Sequence, residues 1–493
     1  MLLKISPGLP VPVYKQIIGQ VRSLIDQGAL QPGQPLPPSR RLAEQLGVNR
    51  STVFLAYAEL QALGYLQSRP GSYNYVQSRR KETPYDPERQ SLISWAEASS
   101  PRAAATYDTF LEYRPENVPP PARGEPPLDL ASLLPDPRLY PVEDFRRCAQ
   151  NVLSESGREA LQYGSHQGYL PLRQTIARRL RLHGISVSEE EILITNGAQQ
   201  GIDLVARVLA GKRRKAVVES PTYASAISLL RFNGLEILGV PMKPDGLDLE
   251  VLEKTLAAER PAFLYTMPNF QNPTGITTGH RHREQLLSIC LRYRVPLVED
   301  GFEEDMKYRG PVDMPIKSID EGNIVIYLGT FSKALFPGLR VGWITAEKGL
   351  VQRVLAVKRF CDLSSNNFSQ MAMHRFCAEG YYDKHLKRLH RTFRKRMQTA
   401  LRSLAEFCPP RVSWTEPAGG YMIWVKMPVG LSKDDLLRRV LPHGVAVSPG
   451  EYYFLRQGPS RYFRISVSVL DEEEIREAVK RLGRALREIV KHN

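Results

Sequence analysis

The chain has 493 residues, 42% of them hydrophobic and 24% charged, and carries a formal net charge of +15. Single cores rarely grow beyond ~250–300 residues, so this length predicts more than one domain, and the composition excludes a disordered or fibrous chain. No apolar run approaches the ~20 residues of a membrane span, and the opening Met-Leu-Leu-Lys-Ile-Ser-Pro lacks a signal peptide's layout. The five cysteines, Cys148, Cys290, Cys361, Cys377 and Cys408, stand apart with no C-x-x-C pair. They predict reduced, buried thiols in a cytoplasmic protein, with neither a disulfide frame nor a metal site. The charge is unevenly placed: residues 1–81 hold ten Lys or Arg against three acids. A small basic domain joined to a large one points to a polyanionic partner.

The first segment reads as a helix over 13–25, with Val13, Ile17, Ile18, Val21 and Leu24 on one stripe. A Gly- and Pro-rich loop, 31–38, follows. Ser39 is placed to cap a short helix that turns Leu42, Ala43 and Leu46 inward and ends at Gly47; Asn49 is placed to cap a second helix running to Leu63. Two short helices across a tight turn containing Gly describe a helix-turn-helix, whose second helix would enter the major groove. Arg50, Ser51 and Thr52 form its exposed start, while Val53, Tyr57 and Leu60 face inward. Tyr65-Leu66 and Tyr75-Val76, joined across 69–72, read as a two-stranded wing. An ordinary basic helical domain with a hairpin is the alternative.

The runs Leu36-Pro37-Pro38-Ser39-Arg40, Leu46-Gly47-Val48, Arg50-Ser51-Thr52-Val53 and Leu63-Gly64-Tyr65-Leu66 resemble the winged helix-turn-helix of GntR-type bacterial regulators. The resemblance implies that Arg40, Arg50, Ser51, Thr52 and the wing tip around Gly71 contact duplex DNA. The wing departs from the family's pattern, because bulkier Tyr73 stands where a second glycine is usual. Residues 1–78 are therefore expected to form a DNA-binding domain. Nine prolines between 84 and 127 make 79–127 a semi-extended linker, with a weak helical patch at 92–98 that would dock on the larger domain.

From Leu128 to the end, strand and helix patterns alternate: strands at 191–195, 216–219, 236–240, 262–266, 296–300 and 323–328, with helices at 202–209, 248–258 and 281–293 between them. Regular βαβ alternation with apolar strands predicts an α/β domain with a mostly parallel sheet and ligands at the strands' C-terminal ends. At 196–201 a Gly-containing turn opens a helix, pointing N–H groups and the positive dipole end at an anion, unless it is a helix start with no ligand. The strand at 323–328 delivers Lys333 into a loop of small residues, with hydroxyls three and one positions before it (Thr330, Ser332) and Arg340 seven after. That spacing suits an unprotonated amine able to form a Schiff base with an aldehyde, beside a dianionic phosphate that Arg340 forks onto. An exposed lysine near a turn is the plainer reading.

In order, Asn272-Pro273-Thr274-Gly275, Glu299-Asp300 and Ser332-Lys333 followed by Arg340 resemble fold type I pyridoxal-phosphate enzymes, the aspartate aminotransferase superfamily. The resemblance implies pyridoxal 5'-phosphate as cofactor, bound covalently by Lys333. Gly197, Ala198, Gln199, Thr330, Ser332 and Arg340 would hold its phosphate, Tyr223 would stack on the ring, Asn272 would bond the ring oxygen and Asp300 the pyridine nitrogen. Tyr163 would reach across a head-to-tail homodimer to the partner's phosphate, and Arg464, in Phe463-Arg464-Ile465-Ser466, would clamp a carboxylate. Packing and a surface ion pair are the ordinary alternatives for these two. Relatives of the regulator type carry a tyrosine where Phe302 stands; its stacking surface is kept and a phenolic donor is lost. A basic helix, 382–404, carries Lys384, Lys387, Arg388, Arg391, Arg394, Lys395, Arg396 and Arg402, either as a solvated face or as a support for DNA running between subunits.

Together, a winged helix-turn-helix followed at 128–493 by an aminotransferase-like domain with a small C-terminal α+β lobe resembles the MocR subfamily of GntR regulators. The resemblance implies a DNA-binding transcription regulator that senses an amino compound, or pyridoxal phosphate itself, at Lys333. A working aminotransferase with a secondary N-terminal domain is the competing expectation.

Overall fold

A computed structural model describes residues 3–491 apart from 7, 9, 69–72, 78–90, 105, 107–125, 311–312 and 457. The chain divides into two compact units, Met1–Ser94 and Trp95–Asn493. The first contains α1 (Val13–Asp26), α2 (Ser39–Leu46) and α3 (Arg50–Ala62), packed through Ile17, Val21, Leu42, Val53, Tyr57 and Leu60. Gly47 closes α2 at φ +65, a conformation that costs a residue with a side chain, and so permits the tight turn into α3. Asn49 caps α3, its Oδ1 accepting from the Ser51 N–H at 3.1 Å. Ser39 does not cap α2 as expected. It is the helix's first residue, Pro38 holds the cap position, and no side chain closes that end. The Tyr57 hydroxyl donates to the Pro37 carbonyl at 2.9 Å and ties α3 to the preceding loop. The wing pairs β1 (Leu66–Ser68) antiparallel with β2 (Asn74–Val76), Leu66 opposite Val76 and both buried. Gly71 lies outside the described residues.

The second unit is built on an eight-stranded sheet. Its strands are β4 (Ile192–Thr195), β5 (Lys215–Ser220), β6 (Glu236–Lys243), β7 (Gly246–Leu247), β8 (Phe263–Thr266), β9 (Leu297–Asp300), β10 (Val325–Thr330) and β11 (Gly342–Thr345). They lie in the order β4-β11-β10-β9-β8-β5-β6-β7. β6, β5, β8, β9 and β10 are parallel, and β11 runs against both of its neighbours. The near-continuous apolar sequences of β5, β8, β9 and β10 follow from burial on both faces. The helix expected from Ile202 starts earlier, at Ala198, because Gly197, at φ +87, forms its cap.

β3 (Leu128–Asp129) pairs in parallel with β14 (Val445–Ala446), tying the start of this domain to its end. The small lobe is an antiparallel sheet, β12 (Ser413–Trp414), β13 (Met422–Leu431), β16 (Ser460–Ser466) and β15 (Ser448–Pro449), backed by the helices Tyr381–Phe407 and Glu472–Lys491. One member of the expected basic face turns inward: Arg396 is buried and its Nη2 pairs with Asp136 at 2.6 Å. The thiols are free, but only Cys148 and Cys290 are buried as expected; Cys377 and Cys408 are half-buried and Cys361 is exposed. The patch at 92–98 forms only a short helix, Trp95–Ala98, and Leu92, Ile93 and Trp95 stay exposed. No helix among the described residues is long and apolar enough to cross a membrane.

Candidate functional site

The C-terminal ends of the parallel strands and β16 surround a cavity of about 470 Å³, and Lys333, Asp300, Asn272, Tyr223, Arg340 and Arg464 all line it. Lys333 follows directly from β10, whose last residue, Thr330, folds the loop back: its Oγ1 accepts from the Ser332 N–H at 3.1 Å and lies 3.0 Å from the Ser332 hydroxyl. The Tyr421 hydroxyl donates to the Lys333 carbonyl at 2.7 Å and fixes the backbone. The Lys333 amine donates to the Leu133 carbonyl at 3.0 Å. Burial holds this amine below its ordinary range, with Arg464 and Arg340 adding to the effect while the Glu303 and Asp300 carboxyls oppose it. Desolvation of this kind favours the unprotonated, nucleophilic form of a lysine relative to an exposed one.

Asp300 ends β9 at the floor of the cavity. Its Oδ2 accepts from the Tyr265 hydroxyl at 2.7 Å, whereas Oδ1 is buried with no partner. Burial pushes the carboxyl up to about 6, and the Tyr265 hydroxyl limits the rise. A buried acceptor without a donor is costly, and its presence facing a cavity marks a place where a ligand's N–H belongs.

At the other end the first turn of the helix Ala198–Leu209 meets Arg340. A Cβ on Gly197 would come within 2.5 Å of the Arg340 Nη2, and one on Gly342 within 2.7 Å of the Gly197 carbonyl carbon. Only glycine at both positions lets the guanidinium lie against the turn, where Nη2 donates to the Asn196 carbonyl at 2.8 Å. Ala198, Gln199, Thr330 and Ser332 complete this wall. Helix N–H groups, two hydroxyls and a guanidinium together form an anion seat.

Arg464 is the third anchor. It is 7% exposed and forms no ion pair among the described residues. Its Nη1 donates to the Asn272 Oδ1 at 3.0 Å and its Nη2 to the Ala131 carbonyl at 2.5 Å, while Nε has no partner. A buried cation held by neutral groups beside an open cavity suits an incoming carboxylate.

The structure thus brings the expected cavity residues of this chain together, Phe302 included, except that Gly197 does not itself line the cavity and lies against the Arg340 guanidinium. Tyr163 is apart: it is 83% exposed and does not line its own chain's cavity. Sequence reasoning missed Leu133, Tyr265 and Tyr453, over whose ring Arg464 lies at 5.2 Å. It also missed Glu303, a buried carboxyl pushed up to about 8 by desolvation. The aromatic run Tyr452-Tyr453-Phe454 after Pro449-Gly450 was the available signal for Tyr453; nothing local marks Tyr265, whose role comes from a neighbouring strand.

In the first unit, Arg50 and Ser51 stand exposed at the start of α3 and Thr52 is half-buried. Arg40, also exposed, pairs with Glu44 at 3.5 Å, a surface pair that a phosphate can displace.

Fold and cavity define an aminotransferase-type domain behind a helix-turn-helix head. The profile of Aminotransferase class I and II matches residues 134–482, and that of Bacterial regulatory proteins, gntR family, matches residues 13–76. The chain belongs to the class I and II aminotransferase family and has the MocR-type arrangement, with a GntR head at its N-terminus. Over 370 residues it is 36% identical to aromatic-amino-acid aminotransferase 1 of Thermococcus litoralis, covering 74% of this chain and 89% of that protein. Over 476 residues it is 30% identical to an uncharacterised HTH-type transcriptional regulator, YdcR, of Escherichia coli, covering 96% and 99%. LysN, an α-aminoadipate aminotransferase of Thermus thermophilus crystallised with N-(5'-phosphopyridoxyl)-L-leucine, superposes with a TM-score of 0.74 at 36% identity, over 81% of this chain and all of that one. Pyridoxal phosphate is the cofactor of this domain. The orphaned Asp300 oxygen, the glycine-lined anion seat and the desolvated Lys333 fit its ring nitrogen, phosphate and aldehyde respectively.

Proposed function

We propose that this DNA-binding regulator reads the concentration of a small amino compound through Lys333. The observation that carries the reading is a cavity lined by Lys333, Asp300, Arg340 and Arg464 in a chain that also carries a GntR head. When bound, the cofactor supplies an aldehyde carbon that an amino group can take over from lysine, and a ring that withdraws electrons from it.

The chain's own residues do the rest. Asp300, ionised, would accept from the ring nitrogen through its free Oδ1, while Tyr265 holds the other oxygen in place. Gly197, Ala198, Gln199, Thr330, Ser332 and Arg340 neutralise and orient the phosphate, and Tyr223 and Phe302 wall the ring. Asn272 is divided between the ring oxygen and the Arg464 guanidinium, so the cofactor and the effector's carboxylate are felt by one side chain. Lys333 would hold the cofactor's aldehyde carbon, and its Nζ, when free, would stand in the cavity wall as a proton acceptor.

The regulator acts as a head-to-tail homodimer in the cytoplasm, where the exposed Tyr163 reaches the partner's phosphate and two heads read paired half-sites. Arg40, Arg50, Ser51, Thr52 and the tip at Gly71 make the contacts to DNA. For the effector to regulate, it must bind one arrangement of the protein more tightly than the other.

The intact set Lys333, Asp300, Asn272, Arg340 and Arg464 favours a second reading, turnover of an amino acid with a 2-oxo acid. Steady-state turnover with 2-oxoglutarate, run beside a gel shift on the DNA upstream of the gene, separates the two. Binding that responds to an amino compound, with turnover slow or absent, supports the regulator; fast turnover without DNA binding refutes it.

A further inference from the structure

We propose that the outer face of the helix Tyr381–Phe407 is a second duplex-DNA surface, gripping phosphates in addition to those held by the head. The proposal rests on the reading of the first unit as a duplex binder.

At 100° per residue, Lys384, Arg388, Arg391, Lys395, Gln398 and Arg402 fall within one sector of about 80°, with Lys387 and Arg394 along its edge. All seven cations are exposed, and none is ion-paired among the described residues. No Asp or Glu stands between Asp383 and Glu406. Those two acids are engaged elsewhere, Asp383 with Arg179 at 2.7 Å and Glu406 with Arg476 at 2.7 Å. Arg388 donates to the Leu139 carbonyl and Arg394 to the Tyr308 carbonyl at 2.8 Å, contacts that fix the side chains without cancelling their charge.

A face that exists only to be solvated usually mixes the two signs, because like charges three and four residues apart on a helix destabilise it. Here Lys384 with Arg388, Lys387 with Arg391, and Arg391 with Lys395 bear that repulsion uncompensated. The opposite side of the helix is mostly apolar, with Tyr382, Leu386, Leu389, Phe393, Met397 and Leu404 buried beside the paired Arg396, so the stripe is held straight and cannot roll inward. From Lys384 to Arg402 it spans about 27 Å, the axial length of about eight base pairs at about 3.4 Å per pair. A rigid single-sign row of that length matches a phosphate strand and offers no base-reading geometry, so its contribution is to affinity and salt dependence rather than to sequence choice.

The test uses the full-length, cofactor-loaded protein and a 60-bp mixed-sequence duplex, with Kd measured across a range of salt. In the stripe variant, Lys384, Arg391, Lys395 and Arg402 are changed to Gln; in the control, Lys254, Arg260, Arg281 and Arg294 are changed to Gln, removing equal charge from another exposed region. The slope of log K against log salt should shrink by about 3 to 4 in the stripe variant, at about 0.9 per phosphate contact, and stay near wild type in the control. If the fourfold stripe variant does not fold, the pairs Lys384→Gln with Arg391→Gln and Lys395→Gln with Arg402→Gln are compared, each expected to lose about half as much slope. An unchanged slope in a protein that still binds the duplex overturns the proposal and leaves the head's role standing. Absence of binding by the wild type overturns both. Vesicles of anionic phosphatidylglycerol form a further arm: if the wild type binds them and the stripe variant does not, while the DNA slope is unchanged, the face serves a membrane and the proposal fails.

Discussion

In the proposed function Lys333 and Asp300 divide the chemistry between them, and each has a separable signature. Lys333→Ala removes the only lysine amine among the described residues lining the cavity, so absorption and mass spectra should show no covalently bound cofactor. Asp300→Asn takes away a charged acceptor and should weaken cofactor binding by about 1.5–3 kcal/mol, roughly 10- to 100-fold in Kd, measurable by equilibrium dialysis. The pH dependence follows from burial, which raises this carboxyl from 3.8 to about 6. Between those values the unfolded carboxyl is ionised while the folded one keeps its proton, so in the cofactor-free protein Asp300 subtracts stability as pH rises through the window. Cofactor binding requires the ionised form, so affinity should fall as pH drops below about 6. In Asp300→Asn this contribution should vanish, and comparing the two pH profiles isolates it from the cofactor's own titration.

Among the elements, those with strong periodicity and explicit end signals were legible in advance. Helices α1 and α3 lie within a residue or so of expectation because Val13, Ile17 and Val21, and then Asn49, mark them directly. The misses have physical causes. Ser39 lost the cap of α2 to Pro38, whose fixed φ suits a helix start without any side-chain bond. Arg396 looked like its basic neighbours but falls on the inward side of its helix, where Asp136, far off in sequence, makes burial tolerable. Tyr265 and Leu133 act through contacts between elements, which no local pattern encodes. The glycine pair at the anion seat shows how an element end can be tested. Gly342→Ala drives a methyl into the Gly197 carbonyl carbon at 2.7 Å, so the turn must shift, and cofactor affinity should fall at least about tenfold while binding of the head to DNA is retained. In the first unit, Asn49→Ala removes the cap of α3 and should cost about 1 kcal/mol, read as a lower unfolding midpoint for that unit, with DNA affinity falling as the start of α3 frays.

On the scale of the whole molecule, two modules share one chain: a head with exposed cations at the start of α3, and a cavity lined by Lys333, Asp300, Asn272, Arg340 and Arg464. Retaining both suggests that occupancy of one is read by the other. Linkage makes such coupling reciprocal, so DNA should alter effector affinity by the same factor by which effector alters DNA affinity. The central claim is therefore tested most directly by the Kd for DNA from upstream of the gene, measured with the cofactor-free protein, with cofactor, and with cofactor plus a panel of amino compounds, for wild type and for Lys333→Ala. The account predicts that at least one addition shifts the wild-type Kd by about 5-fold or more, the lower end of typical allosteric coupling, and that Lys333→Ala shows no shift with any amino compound. An identical wild-type Kd under every loading, or an equal response to amino compounds in Lys333→Ala, would contradict it.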